Sequence, residues 1–309
     1  MCDLQNKIVG TSPAMVALRA YLPKVAHSMA TVLITGATGT GKELVAELLH
    51  AMGPRHRQPF VAINCASLPD SLVESELFGH ERGAFTGAIG ASPGYFARAN
   101  HGTLLLDEIG EMSLYTQAKL LRVLETHEVM PVGGNRPMPV DVRIIAATNQ
   151  PLETLIESRQ FRMDLFYRLN VAHLCLPPLK ERKEDIPLLF NQVIDEYNQR
   201  DNRKVGYPDS ELLDCLVAHD WPGNIRELRN LVEAIFIDPP REWIGLGDLP
   251  PVFRKLFEGY RTSSSSERDQ LMEVLEQTQW NKAEAAKKLN WSRMTLYRKL
   301  ARYHIEHSC

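Results

Sequence analysis

The period of the apolar positions changes along this chain. Thr31-Val32-Leu33-Ile34-Thr35 is a short β-branched run ending at glycine, which predicts a strand. Leu44, Val45, Leu48 and Leu49 follow at helical spacing over residues 43–52. Further apolar runs at Phe60–Asn64, Thr103–Asp107 and 140–148 are separated by polar or helical stretches. This alternation predicts an α/β domain, a mostly parallel sheet covered by helices. Beyond Pro177-Pro178 the helical period takes over at 185–200, 210–219 and 224–237, so a smaller all-helical domain is expected. Asp238-Pro239-Pro240, Gly245, Gly247, Pro250-Pro251 and the serine run 263–266 then read as a flexible linker.

The last forty residues carry a different pattern. Leu271, Val274 and Leu275 mark one helix, and Ala285, Ala286, Leu289, Leu296 and Leu300 mark two shorter ones on either side of Asn290-Trp291. Asn281 and Ser292 stand at N-cap positions. Between Asn281 and His304 there are seven Lys or Arg against one acid, a local balance of +6. A helix-turn-helix with a basic face is the expectation, its second helix lying in the major groove. Arg293, Thr295 and Arg298 are the candidates for base edges, and Lys299 and Arg302 for phosphates.

Composition narrows the class only a little. With 309 residues, the chain is long enough for two or three cooperative units. Apolar residues at 44% and charged residues at 24% fit an ordinary packed core, and the net charge of −3 names no partner. The five cysteines lack Cys-x-x-Cys spacing, which argues against a zinc site or a disulfide framework. No apolar run approaches the ~18 residues of a membrane span and no leader opens the chain, so a cytoplasmic protein is expected.

Two stretches carry phosphate chemistry. In Gly36-Ala37-Thr38-Gly39-Thr40-Gly41-Lys42 the glycines free the backbone N–H groups to curl around a phosphate, with a helix N-terminus behind them and Lys42 as a point charge. Glu43 stands where Ser or Thr usually offers a hydroxyl to Mg²⁺, leaving Thr40 or a water for that contact. Leu104-Leu105-Leu106-Asp107-Glu108 is an apolar strand ending in two carboxylates: Asp107 to hold Mg²⁺, Glu108 to polarise an attacking water. Between them, Gly83-Ala84-Phe85-Thr86-Gly87-Ala88 offers an aromatic tip between two flexible glycines.

In this order the motifs resemble those of the bacterial enhancer-binding activators of sigma-54 RNA polymerase, which are AAA+ ATPases; the likeness runs from Ile8-Val9-Gly10 through His304. The resemblance implies an AAA+ core over 1–174, a helical lid over 175–240, a linker over 241–266 and a Fis-type DNA-binding domain over 267–309. It implies ATP and Mg²⁺ as cofactors. Asn64 would couple Glu108 to the sigma-contacting loop Gly83 to Ala88, and Thr148-Asn149 would sense the γ-phosphate. Arg162 and Arg168 would be arginine fingers in the neighbouring subunit's site, and Arg226 a lid arginine acting in cis. Val132-Gly133-Gly134-Asn135-Arg136-Pro137 resembles a second pore loop. Self-association into a ring, a hexamer of one chain or mixed with a sister protein, follows from the shared sites. The partners implied are sigma-54 polymerase and enhancer DNA; if Met1 is the true start, no sensory domain precedes the motor, and control is expected from an inhibitory or co-activating protein in trans or from expression level. The alternatives are a DNA-binding regulator whose motor fold serves only nucleotide-dependent oligomerisation, and a different AAA+ remodeller such as a helicase loader.

Overall fold

The computed structural model describes residues 8–67, 69–85, 90–240, 242–278, 280–289, 291, 293–303 and 305. Its elements, in chain order, are α1 (Pro13–His27), β1 (Val32–Gly36), α2 (Lys42–Ala51), β2 (Phe60–Asn64), α3 (Asp70–Phe78), α4 (Tyr95–Arg98) and β3 (Thr103–Asp107). Next come α5 (Leu114–Thr126), β4 (Glu128–Val129), β5 (Met138–Pro139), β6 (Arg143–Thr148), α6 (Leu152–Glu157), α7 (Met163–Leu169) and β7 (Ala172–Leu176). The remainder is helical: α8 (Ile186–Asp201), α9 (Ser210–Ala218), α10 (Asn224–Ile235), α11 (Pro251–Gln277), α12 (Lys282–Lys288) and α13 (Arg293–Arg302). The chain divides into two compact units, 1–196 with 220–232, and 197–219 with 233–309.

The first unit holds a five-stranded sheet in the order β2-β3-β6-β1-β7, parallel throughout. The expected α/β architecture is therefore present. Leu104, Ile145, Ala147, Val32 and Ile34 are buried on the inner strands, which explains their near-continuous apolar runs. Parallel registry aligns the strand ends: Asn64 pairs with Asp107, and Thr35 with Thr148. Four chemistry-bearing positions thus reach one edge of the sheet together, the edge where open α/β sheets bind ligands.

The expected strand over 140–148 is shorter than the apolar run. β5 ends at Pro139 and β6 begins at Arg143, because Asp141 turns out to receive Arg55 and its N–H goes to Asn100 Oδ1. Arg143 itself is buried, donating to the carbonyls of Val25 and Ala26 at the end of α1. Asp185, also buried, ties the other end of α1: it accepts from the N–H groups of Thr11 and Ser12 and from the Ser12 hydroxyl.

In the second unit the expected linker is corrected from Pro251 onward. One helix, α11, runs through Ser263–Ser266 to Gln277. Proline at its first turn suits helix initiation, and each serine costs only about 0.5 kcal/mol against alanine once the helix is propagating. The C-terminal helices share a small core of Leu271, Leu275, Ala285, Ala286, Leu296 and Leu300. No described helix is long and apolar enough to cross a membrane.

Candidate functional site

The glycine loop closes over the end of β1. Gly39 has φ +78°, and a Cβ there would lie 2.3 Å from the carbonyl oxygen of Gly223, so only glycine lets the loop and the turn ahead of α10 approach this closely. Ile225 N–H donates to the carbonyl of Gly39 at 3.0 Å, and Asn224 Nδ2 to that of Thr38 at 2.9 Å. Lys42 is buried and donates to the Gly36 carbonyl at 3.0 Å, with Glu108 Oε1 3.7 Å away. The Thr40 hydroxyl donates to the Ala37 carbonyl at 2.8 Å inside the loop, so of the two options for the missing metal contact Thr40 is already engaged. Ala37 and Gly41 complete the loop, and Glu43 is exposed on the first turn of α2.

At the end of β3 the two carboxylates differ. Glu108 adopts φ 52° and ψ 48°, a left-handed conformation that costs a non-glycine residue about 1 kcal/mol or more and marks a constrained site. It aims its carboxylate at Lys42 and accepts the Asn149 N–H on Oε2 at 3.1 Å. Asp107 Oδ1 is buried without a hydrogen-bond partner. Burial first, and the neighbouring Glu108 charge second, push the Asp107 carboxyl above its usual range. The same surroundings push the Cys65 thiol up to about 12, mainly by burial. An unsatisfied buried carboxylate oxygen beside a phosphate-binding loop is the donor that a hard divalent cation requires, so Asp107 fits Mg²⁺.

Asn149 Nδ2 donates to the Thr38 hydroxyl at 2.9 Å, joining the sensor position to the glycine loop. Asn64 lies beside Asp107 in register, but its Oδ1 accepts the Ala66 N–H at 2.9 Å, and no hydrogen bond joins it to Glu108 among the described residues. Arg226, exposed on the first turn of α10, follows directly on the residues that hold the loop.

Arg162 and Arg168 are not part of this assembly. Arg162 stands at the N-cap position of α7 and pairs with its own Asp164 through two bonds of 3.0 and 2.7 Å, which lowers the Asp164 carboxyl. Arg168 donates to the Leu124 carbonyl at 2.8 Å. It lines a cavity of about 260 Å³ with Met29, Thr31 and Val142, residues ahead of β1 and β6 and so beyond the opposite edge of the sheet.

The aromatic loop rises from paired backbone. His80 and Ser92 exchange N–H···O bonds of 3.0 and 2.9 Å, and Glu81 N–H donates to Val132 at 3.0 Å. Gly133 packs so close to Ala84 that a Cβ would lie 2.9 Å from the Ala84 Cβ. The two expected pore loops therefore share one base. Phe85 is 40% exposed, its ring edge-on to His80 at 5.0 Å. Gly83, Ala84 and Phe85 are described; Thr86, Gly87 and Ala88 lie outside the described residues.

The three C-terminal helices form the expected helix-turn-helix. Asn281 Oδ1 accepts from the N–H groups of Ala283 and Glu284, as its N-cap position predicts; Ser292 lies outside the described residues. On α13, Arg298 is exposed, while Thr295 and Lys299 are half-buried, with Lys299 over the Trp291 ring at 4.9 Å. Arg293 and Arg302 sit at the ends of α13, and their side chains lie outside the described residues.

Three contributors escaped the sequence reading. Asn224 binds the glycine loop and accepts the Leu179 N–H at 2.7 Å. Arg182, buried, reaches the Thr40 carbonyl at 3.5 Å and Met15 Sδ at 3.0 Å. Gln117, fully buried, donates to the carbonyls of Met112 and Gln160 and accepts the Arg162 N–H at 2.9 Å. The only local signal for Gln117 was a polar residue on the apolar face of α5.

Residues 8–175 match the family described as Sigma-54 interaction domain, 180–270 the AAA+ ATPase lid domain, and 264–303 the Bacterial regulatory protein, Fis family. Over 313 residues the chain is 46% identical to the Regulatory protein AtoC of Escherichia coli K12, covering 97% of this chain and 68% of that one. It is 44% identical over 305 residues to the Nif-specific regulatory protein of Azotobacter vinelandii, covering 95% of this chain and 58% of that one. Among solved structures, NtrX of Brucella abortus in complex with ATP superposes with a TM-score of 0.75 at 34% identity, covering 96% of this chain and 69% of that one. An Hsp104 reconstruction at 16% identity and TM-score 0.56, covering 79% of this chain and 48% of that one, shares the fold alone. The chain belongs to the sigma-54-dependent transcriptional activators, a family of AAA+ ATPases with a helix-turn-helix DNA-binding domain.

Proposed function

We propose that this chain hydrolyses ATP at sites shared between subunits of a ring, a hexamer, and uses the cycle to remodel the sigma-54 polymerase closed complex from enhancer DNA. The observation that carries the proposal is a division of labour. Lys42, Asp107, Glu108 and Asn149 converge at one sheet edge, while among the described residues Arg162 and Arg168 have no bond to any of them. Support for ATP as the nucleotide comes from the NtrX structures with ATP and ADP.

In this reading the loop Gly36 to Gly41 and Lys42 bind the phosphates, and Asp107 holds Mg²⁺. Held there, the cation would supply positive charge against the phosphates. Glu108 aligns the water and accepts its proton, held ready by the Asn149 N–H. Asn149 senses the γ-phosphate through Thr38, and Arg226 reports from the lid in cis. Arg162 gives up an exposed pair worth about 0–1 kcal/mol to reach a neighbouring site, so exchange is cheap. Asn64 transmits the change at Glu108 to Gly83 through Ala88, whose tip engages sigma-54. The working partition is the motor over 1–174, the lid over 175–240 and the DNA reader over 267–309. Opening a promoter from enhancer DNA puts the work in the cytoplasm. A homomeric ring is the simplest assembly; a sister protein or a regulator in trans would act on the same interface.

Subunit mixing tests the shared site. Glu108→Gln and Arg162→Ala should each lose at least about 10²-fold in turnover. Mixed in equal amounts they should regain a substantial fraction, because some interfaces then pair an intact Glu108 with an intact Arg162. No recovery on mixing, or activity independent of protein concentration in the unmutated chain, would refute the shared site.

A further inference from the structure

On the DNA-reading helix α13, the outward face departs from the polar surface expected of it. Met294 is 79% exposed and Tyr297 52%, with Arg298 exposed beside them. At 3.6 residues per turn, 294, 297 and 298 share one face, and the buried Leu296 and Leu300 lie opposite, in the domain core. Thr295, expected from sequence at a base edge, and Lys299, expected at a phosphate, fall on the half-buried flank. Met294 occupies the first turn of α13, and the first turn of a recognition helix is where side chains reach base edges. Tyr297 follows one turn later, its ring under the Lys282 ammonium at 5.3 Å, which holds it against α12.

We infer that Met294 reads a thymine C5-methyl group in the major groove, with Tyr297 closing the contact, and that this apolar contact helps set the operator sequence. It rests on the assignment of α13 as the DNA-reading helix. Among base-pair edges in the major groove, the thymine methyl is the one apolar feature, and a flexible thioether suits it in size and softness. A large exposed apolar side chain surrounded by a local charge of +6 has a natural occupant in a polyanion that also carries methyl groups. Neither Met294 nor Tyr297 belongs to the buried core of the domain, and both keep exposed surface that can contact DNA.

The test starts from a duplex chosen by in vitro selection with the full chain. Each thymine of that site is then replaced singly by deoxyuridine, which deletes one methyl and keeps the base pair. At one or more thymines of the site the replacement should weaken binding about fourfold, the worth of one buried methyl. Met294→Ala should bind the thymine and deoxyuridine sites equally, closing a double-mutant cycle. This variant removes an exposed side chain and installs the best helix former, so its circular dichroism should match the parent. Met294→Arg should shift the selected base toward guanine. Uniform indifference to deoxyuridine, or discrimination that survives Met294→Ala, would overturn the methyl contact. Selection that enriches no site would overturn the DNA-reading helix itself, a separate failure.

Discussion

The glycine-loop edge of the sheet and helix α7 carry the two sets of residues to which the proposed function gives different tasks, and they are held in opposite ways. At the loop edge nearly every polar group has a fixed partner: Lys42 the Gly36 carbonyl, Asn149 the Thr38 hydroxyl, Glu108 the Asn149 N–H. Among the described residues, the carboxylate left over there is Asp107, whose Oδ1 has no hydrogen-bond partner. On α7, by contrast, Arg162 and Arg168 hold replaceable partners, an exposed aspartate and a backbone carbonyl. On the proposed function, the binding site is over-determined, while the side chains assigned to a neighbouring subunit are kept on weak local bonds. Preorganisation belongs where charge must be aimed, and exchangeable contacts belong where assembly decides whether catalysis proceeds.

The comparison breaks most visibly in paired variants. Lys42→Ala should abolish nucleotide binding by the dilute, unassembled chain. Arg168→Ala should leave that binding unchanged within about twofold while reducing assembled turnover by about 10³-fold or more, the range of an arginine finger. Fluorescent-nucleotide titration below the assembly concentration, followed by steady-state hydrolysis above it, separates the two. Loss of nucleotide affinity in dilute Arg168→Ala would put that arginine back in its own site and end the contrast.

Gln117 sharpens it. This buried amide joins the Arg162 N–H to the carbonyls of Met112 and Gln160, so one side chain positions the start of α7 against the segment that follows Glu108. Gln117→Ala leaves those groups without partners and should cost about 2 kcal/mol in stability. Turnover in the assembled form should fall about tenfold at unchanged nucleotide KM, because the residue acts through Arg162. Mixing with Glu108→Gln should restore activity as it does for Arg162→Ala. A rise in KM with kcat intact would make Gln117 a general packing residue.

How much of this was readable in advance follows from the range of each interaction. The glycine loop, the Asp107-Glu108 strand end and the helix periods are local patterns, and the structure has them at the expected positions. The clamp of Asn224 on Thr38 and that of Asp185 on Thr11 join residues more than 170 positions apart, and no local period records them. Ser263–Ser266 failed for a different reason: composition pointed to a tether, whereas cooperative propagation from the proline-initiated turn carries helix through weak formers. Asn64 shows a third limit. Its place beside Asp107 follows from strand registry, but which partner the amide takes, Ala66 here, depends on a competition that spacing does not rank.

The smallest effect bears on the unsatisfied Asp107 oxygen. Burial and the Glu108 charge hold the Asp107 carboxyl above its usual range, so the folded chain binds that proton more tightly than the unfolded chain does. The stabilisation is then present below the ordinary aspartate pKa and is lost as pH rises through the raised value. In nucleotide-free, metal-free protein near neutral pH, Asp107→Asn should therefore be more stable by on the order of 1 kcal/mol, a Tm gain of about 2–4 °C. The difference should shrink toward acid, where the wild-type carboxyl is protonated in both states. Adding nucleotide with Mg²⁺ should reverse the order, because only the carboxylate gains a cation partner. Scanning calorimetry of both proteins across pH, with and without Mg²⁺, measures all three comparisons. An Asp107→Asn protein that loses stability in the metal-free state would mean that the carboxylate already has its partner within the chain, and the loop edge would then be complete without a cation.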